Sequence, residues 1–255
     1  MLDQRDRWDR ILPLLEVRDA AKAFGGIRAV DGCSFTVEEG SITALIGPNG
    51  AGKTTMFNMI NGLHKADSGV ILFEGEAIQR LQPHQITRRG ISRTFQISRQ
   101  LGDLTVLENV VLQSPARGLR GLLSESILGE ERKRGMELLD FVGIADLADQ
   151  PAAKLSYGQK KLMDLAAGMM AQPRLFLLDE PAGGINPALL DVIIDRVLKL
   201  RALGITFLIV EHNMDMVMNL CDPIVVMAYG KVLAKGPPDT IRGDARVLEA
   251  YLGVS

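Results

Sequence analysis

The sequence predicts an α/β fold whose mainly parallel sheet carries a phosphate-binding loop. Three observations support that expectation. Apolar, β-branched runs alternate with helix-period segments along most of the chain. Two of these runs, at 175–178 and 206–210, flank one long helical segment, and a strand–helix–strand unit of that length pairs its strands in parallel. The run at 42–46 leads straight into a glycine-rich stretch followed by another helical pattern. That is the context in which a sheet presents backbone amides to phosphate.

In chain order, the spacing predicts strands over 14–17, 33–37 and 41–46, with turn signals at Gly25-Gly26 and Glu39-Gly40 between them. A helix is expected over 53–62, and a strand over 70–73 that ends in the turn Glu74-Gly75. From about residue 98 to 151 the strand runs disappear. There 106–112 and 130–142 have helical spacing, and Gly118, Gly121 and Gly129 punctuate a mostly helical insert. Strands return at 175–178, 206–210 and 223–227. Between the first two, Asn186 is placed to cap a helix and Pro187 to open it. Apolar pairs then repeat at Leu189/Leu190, Ile193/Ile194 and Val197/Leu198 until Gly204. Tyr229-Gly230-Lys231 has the character of a hairpin turn.

Composition narrows the function. The chain has 255 residues, 47% of them hydrophobic, enough for the core of one large domain or two small ones. Its 29 basic and 31 acidic side chains leave a net charge of −2, so no bulk attraction draws it to nucleic acid, and none is expected as a partner. No apolar run approaches the roughly 18 residues that a membrane span needs. The first residues mix both charges without an apolar stretch, unlike a secretory leader. Residues 1–12 are therefore expected to form a charged extension, with Trp8 packing it on to the body. Cys33 and Cys221 lack any metal-ligand company and are expected as buried thiols of a reducing, cytoplasmic compartment.

The chemistry begins at Gly47-Pro48-Asn49-Gly50-Ala51-Gly52-Lys53-Thr54, which matches the GxxxxGK[ST] phosphate loop. Its glycines allow successive N–H groups to converge on an anion at a helix N-terminus. Lys53 is expected to reach the β- and γ-phosphates, the Thr54 hydroxyl to ligate Mg2+, and Thr55 to add a phosphate hydrogen bond. A second element is the apolar run 175–178 ending in Asp179 and Glu180. Two carboxylates at the end of a buried strand are costly unless positive charge sits there. Asp179 is expected in the Mg2+ shell, and Glu180 as the group that orients or deprotonates an attacking water.

Leu155-Ser156-Tyr157-Gly158-Gln159 resembles the LSGGQ signature of ABC-type ATPases, and further strings agree with that family in order and spacing. Gln96, in Arg93-Thr94-Phe95-Gln96, resembles the Q-loop glutamine; His212 the switch histidine; 182–187, with Asn186, the D-loop; and Phe24 the aromatic residue that stacks on adenine. The resemblance implies a P-loop NTPase core with an N-terminal antiparallel β subdomain and an α-helical signature subdomain at 97–155, all within a domain spanning 13–255. It implies ATP and Mg2+ as cofactors, with Gln96 touching Mg2+ or the attacking water, His212 the γ-phosphate, and Lys53 and Glu180 completing the catalytic set. It also implies that Ser156, Tyr157, Gly158 and Gln159 act in trans on the ATP of a second ATPase subunit, itself or a related chain. Transmembrane permeases would be the direct partners and a solute-binding protein an indirect one, with this chain peripheral at the inner face of the membrane. Two positions depart from the usual pattern: Tyr157 replaces a glycine and Asn186 an aspartate.

Phe24-Gly25-Gly26, the string ending in Gln96, Ser156-Tyr157-Gly158, Ile185-Asn186-Pro187, Glu211-His212-Asn213-Met214 and Ala250-Tyr251-Leu252-Gly253 look like the ATP-binding subunits of branched-chain amino-acid importers, the LivG type. The lipopolysaccharide-export ATPases are the alternative, and non-transport ABC proteins a further one. Other features have plainer readings. Met163, Met169, Met170, Met214, Met216 and Met218 are expected as core packing. Arg88, Arg89, Arg93 and Arg99 are expected on a solvated face or one meeting a membrane partner, and His64 and His84 at the surface.

Overall fold

The structure, a computed structural model, describes residues 12–94, 101–114 and 129–252. Leu15–Phe24 (β1) and Ile27–Val37 (β2) form a long antiparallel hairpin closed at Gly25 and Gly26, both with positive φ. The other edge of β1 pairs with Ser68–Phe73 (β4), which pairs in turn with Glu76–Ala77 (β5), giving a four-stranded antiparallel sheet of order β2-β1-β4-β5. The sequence signals at 14–17 and 33–37 are thus the buried ends of much longer strands. Their outer halves mix exposed charges such as Arg18 and Arg28 with alanines and only single buried apolar residues, Ala20 and Val30, which hides them from an apolar-run search.

The second sheet contains the four runs that read as continuously apolar. Ile42–Ile46 (β3), Leu175–Asp179 (β7), Thr206–Val210 (β8) and Ile224–Ala228 (β9) are buried at every position, as expected for strands covered on both faces. With Ile91–Arg93 (β6) and Lys231–Gly236 (β10) the order is β10-β9-β3-β8-β7-β6; every pairing is parallel except the β9–β10 hairpin, whose turn is Tyr229-Gly230.

Alternation along these strands divides the interior in two. Ile42, Ala44, Ile46, Phe176, Leu178, Phe207, Ile209, Ile224 and Val226 face one core, packed by Tyr157–Met170 (α5), Pro187–Ala202 (α6) and Met214–Leu220 (α7). Leu45, Leu175, Leu177, Leu208, Val210, Val225 and Met227 face the other, packed by Lys53–Ile60 (α1) and the antiparallel sheet. The methionines expected as packing lie in or against the first core. Val106–Val111 (α3) and Gly129–Val142 (α4) pack on each other and on α5.

Gly168 lets α5 approach the sheet: a Cβ there would lie 2.3 Å from the Phe176 ring. The short pieces that the sequence did not announce are β5, β6, Pro83–Arg88 (α2), α7, Pro238–Arg242 (α8) and Ala245–Leu252 (α9). No helix among the described residues is long and apolar enough to cross a membrane.

Candidate nucleotide site

The loop between β3 and α1 opens on a cleft of about 290 Å³ lined by Ala29, Asn49, Gly50, Ala51, Gly52, Lys53, Thr54, Thr55, Glu180 and His212. Gly47 sits behind it with φ 149°, and a Cβ there would come within 2.0 Å of the Met227 carbonyl, so only glycine lets the loop pass this close to β9. Lys53 donates to the carbonyls of Gly47 (2.7 Å) and Pro48 (2.9 Å), folding its ammonium along the loop. Burial holds its pKa below the usual lysine value, while the Glu180 charge acts the other way. Burial raises the Tyr251 phenol of α9 above the usual tyrosine value, while the nearby Gly47 backbone acts the other way.

Glu180 follows β7 with φ 48°, a left-handed conformation that bulky residues rarely adopt, and its amide donates to Val210 O (2.8 Å). One of its carboxylate oxygens lies 2.7 Å from His212 Nε2, so the two residues meet across the cleft although they are remote in sequence. Two residues that sequence reasoning did not assign hold this pair in place. The buried Glu211 carboxylate accepts from three backbone amides: Ala182 (2.6 Å), His212 (2.7 Å) and Asn213 (2.9 Å). It thereby staples the loop after Glu180 to the loop carrying His212. Lys161 of α5 donates to the Glu180 carbonyl (2.6 Å) and lies over the Tyr157 ring. Glu211 was discoverable, since it ends the apolar strand β8 as Asp179 and Glu180 end β7. Lys161 was not, because nothing local to α5 points at the cleft.

Asp179 is buried, and its amide lies 3.3 Å from Thr94 Oγ1. Its Oδ2 pairs at 2.7 Å with Arg93, whose side chain is itself nearly inaccessible, donates to Asn58 Oδ1 (2.7 Å) and lies over the Phe57 ring. This corrects the expectation of a solvated face. Arg93 is the last residue of β6, directly beside β7, and points into the interior between β7 and α1. Arg89 meets that expectation, pairing with Glu76 at the surface. His64 is half-buried with its ring edge-on to Phe24, at 5.1 Å between centroids. Phe24 lies at the tip of the β1–β2 hairpin, the same hairpin that lends Ala29 to the cleft, though Phe24 itself is not among the lining residues.

The signature residues do not line the cleft either. Ser156 caps α5 in a reciprocal box: Gln159 N donates to Ser156 Oγ (3.3 Å) and Ser156 N to Gln159 Oε1 (2.9 Å). The helix therefore starts at Tyr157. Ser156 and Tyr157 are exposed, so this N-terminus faces outward. Gly158 lies against Leu189 of α6, and Tyr157 packs beside Gly184. Asn186 caps α6 as predicted, accepting from Leu189 N at 2.9 Å. Gln96 lies outside the described residues.

A family model described as ABC transporter matches residues 30–183, and one described as branched-chain amino acid ATP-binding cassette transporter matches 231–255. The chain is 41% identical over 247 residues to the probable branched-chain amino acid transport ATP-binding protein LivG of Archaeoglobus fulgidus, across 95% of this chain and 96% of that one. It is 39% identical over 250 residues to the high-affinity branched-chain amino acid transport ATP-binding protein BraF of Pseudomonas aeruginosa, across 94% and 98%. The crystal structure of the ADP conformation of MJ1267, an ATP-binding cassette of an ABC transporter, matches with a TM-score of 0.86 at 36% identity, covering 95% of this chain and 99% of that one. With its phosphate loop, its strand-end carboxylates and these relatives, the chain belongs to the ABC transporter family, as one of its ATP-hydrolysing cassettes.

Proposed function

We propose that this cassette powers uptake of branched-chain amino acids, or a closely related small solute, through separate permease subunits at the inner face of the cell membrane. The names of the relatives and the match at 231–255 support uptake over lipopolysaccharide export. The observation that carries the catalytic part is the 2.7 Å contact between Glu180 and His212 over the phosphate loop.

In this reading the amides of 49–54 and the Lys53 ammonium hold the β- and γ-phosphates, and Thr55 adds a hydroxyl. Phe24 stacks on adenine from the hairpin tip. Glu180 takes a proton from the attacking water as the water oxygen bonds to the γ-phosphorus and the bond to the ADP oxygen breaks. His212 steadies the carboxylate and contacts the γ-phosphate. The Thr54 hydroxyl and the Asp179 carboxylate are hard oxygen donors that suit Mg2+, with Gln96 a third in the family pattern. Mg2+ would neutralise charge on the phosphates. Because Ser156 and Tyr157 are exposed at its start, the α5 N-terminus serves the nucleotide of a second ATPase subunit.

Reconstitution tests the transport claim. With permeases and a solute-binding protein in proteoliposomes, the complex is expected to accumulate labelled leucine only when ATP is enclosed on the cassette side. ATP hydrolysis without uptake of any branched-chain amino acid would contradict it.

A further inference from the structure

We propose that Arg93 is the internal counter-ion of Asp179, and that the divalent cation accompanying ATP competes with it for that carboxylate. The inference rests on the reading of Asp179 as a metal ligand, and goes beyond it by giving the site a built-in electrostatic brake.

The Asp179 side chain is 2% exposed and that of Arg93 8%, so the pair lies in a medium where charges interact strongly and neither can be left alone cheaply. The guanidinium is fixed on three sides: by Asp179 Oδ2, by Asn58 Oδ1 and by the Phe57 ring below it. Asn58 and Phe57 belong to α1, the helix that the phosphate loop opens, and Arg93 ends β6, three residues before Gln96. One side chain thus spans the phosphate-loop helix, the strand bearing Asp179 and the strand leading to the Q-loop. Among the described residues the Nε of Arg93 is buried without a hydrogen-bond partner, and its described hydrogen bonds are made by the terminal nitrogens. A dication approaching Asp179 meets a fixed positive charge on the same carboxylate. Its binding therefore weakens or displaces the Arg93 contact, and the change is felt at once in α1 and at the entry to the Q-loop.

The test is titration of Mn2+, as a spin-active substitute for Mg2+, into the purified cassette saturated with a non-hydrolysable ATP analogue, read by electron paramagnetic resonance. Arg93→Gln is expected to lower the half-saturating Mn2+ concentration by roughly tenfold, the scale of neighbouring charges in a partly hydrated site. Arg93→Lys, which keeps the charge, should stay within about twofold of wild type. Arg93→Met, whose chain still packs on Phe57, repeats the charge removal should the Gln variant fold poorly. Asp179→Asn separates the two levels. If it leaves Mn2+ binding intact, the reading of Asp179 fails. If it abolishes high-affinity binding while the folded Gln and Met variants bind Mn2+ no more tightly than wild type, the reading of Asp179 stands and the competition is overturned.

Discussion

Carboxylates at the ends of buried strands serve three separate tasks in this site. Glu180 faces the cleft, Asp179 faces inward to Arg93, and Glu211 faces neither, because all its described bonds go to backbone amides. A carboxylate accepting three N–H groups fixes two loops that bear reactive side chains but share no secondary structure. Glu211→Gln removes the charge and turns an amide toward those donors. It is expected to lower kcat by roughly 10–100-fold, the scale of a misplaced catalytic group, with nucleotide affinity within about twofold. Steady-state kinetics beside equilibrium binding of a fluorescent ATP analogue measure both. An equal loss in binding would show that Glu211 supports the whole fold rather than the two loops.

At the scale of elements, capping and close approach set where the helices begin and how near they come. Asn186 provides the cap of α6 that an aspartate would also provide, so its departure from the family pattern leaves helix geometry intact. Asn186→Ala should cost about 1 kcal/mol, and Asn186→Asp should be near neutral; thermal melts read both. Gly168→Ala should cost roughly 1–3 kcal/mol through overpacking against Phe176.

The same elements explain what was legible in advance. The all-buried strands β3, β7, β8 and β9 and the helix opened by Asn186-Pro187 announce themselves by local composition, and so do the phosphate loop and the acids after β7. The partner of Arg93 was invisible, because an arginine in a three-residue strand reads as surface until the fold places it beside β7. Tyr157 meets Gly184, and Lys161 reaches the Glu180 carbonyl, only after α5 folds against the loop following β7, and no periodicity encodes those contacts. Short helices such as α2, α7 and α8 have too few turns to show a stripe.

For the whole molecule, the two cysteines report on integrity. Cys33 donates to Gly230 O (3.0 Å), and burial pushes its thiol up to about 11; burial, then the Glu211 charge, pushes Cys221 up to about 12. Both thiols should resist alkylation at pH 8 until the chain unfolds. The folded state holds these protons where the unfolded state, with its ordinary value of 9.0, releases them. Their contribution is therefore full below about pH 9 and is lost as pH rises toward 11 and 12, so Tm should fall across that window. Lys53, lowered by burial, acts with the opposite sign just below the usual lysine value. A melting temperature that is flat above pH 9 would contradict the burial of both thiols.

The central claim joins the phosphate cleft, the Glu180–His212 pair and an outward signature into one ATP-driven cassette. The most direct test is Glu180→Gln, assayed for phosphate release and, with ATP present, for mass by light scattering. The account predicts a loss of ATPase activity of roughly 10²–10⁴-fold, together with an ATP-dependent dimer of this chain or a pair with its partner cassette. Full ATPase activity in that variant would contradict it.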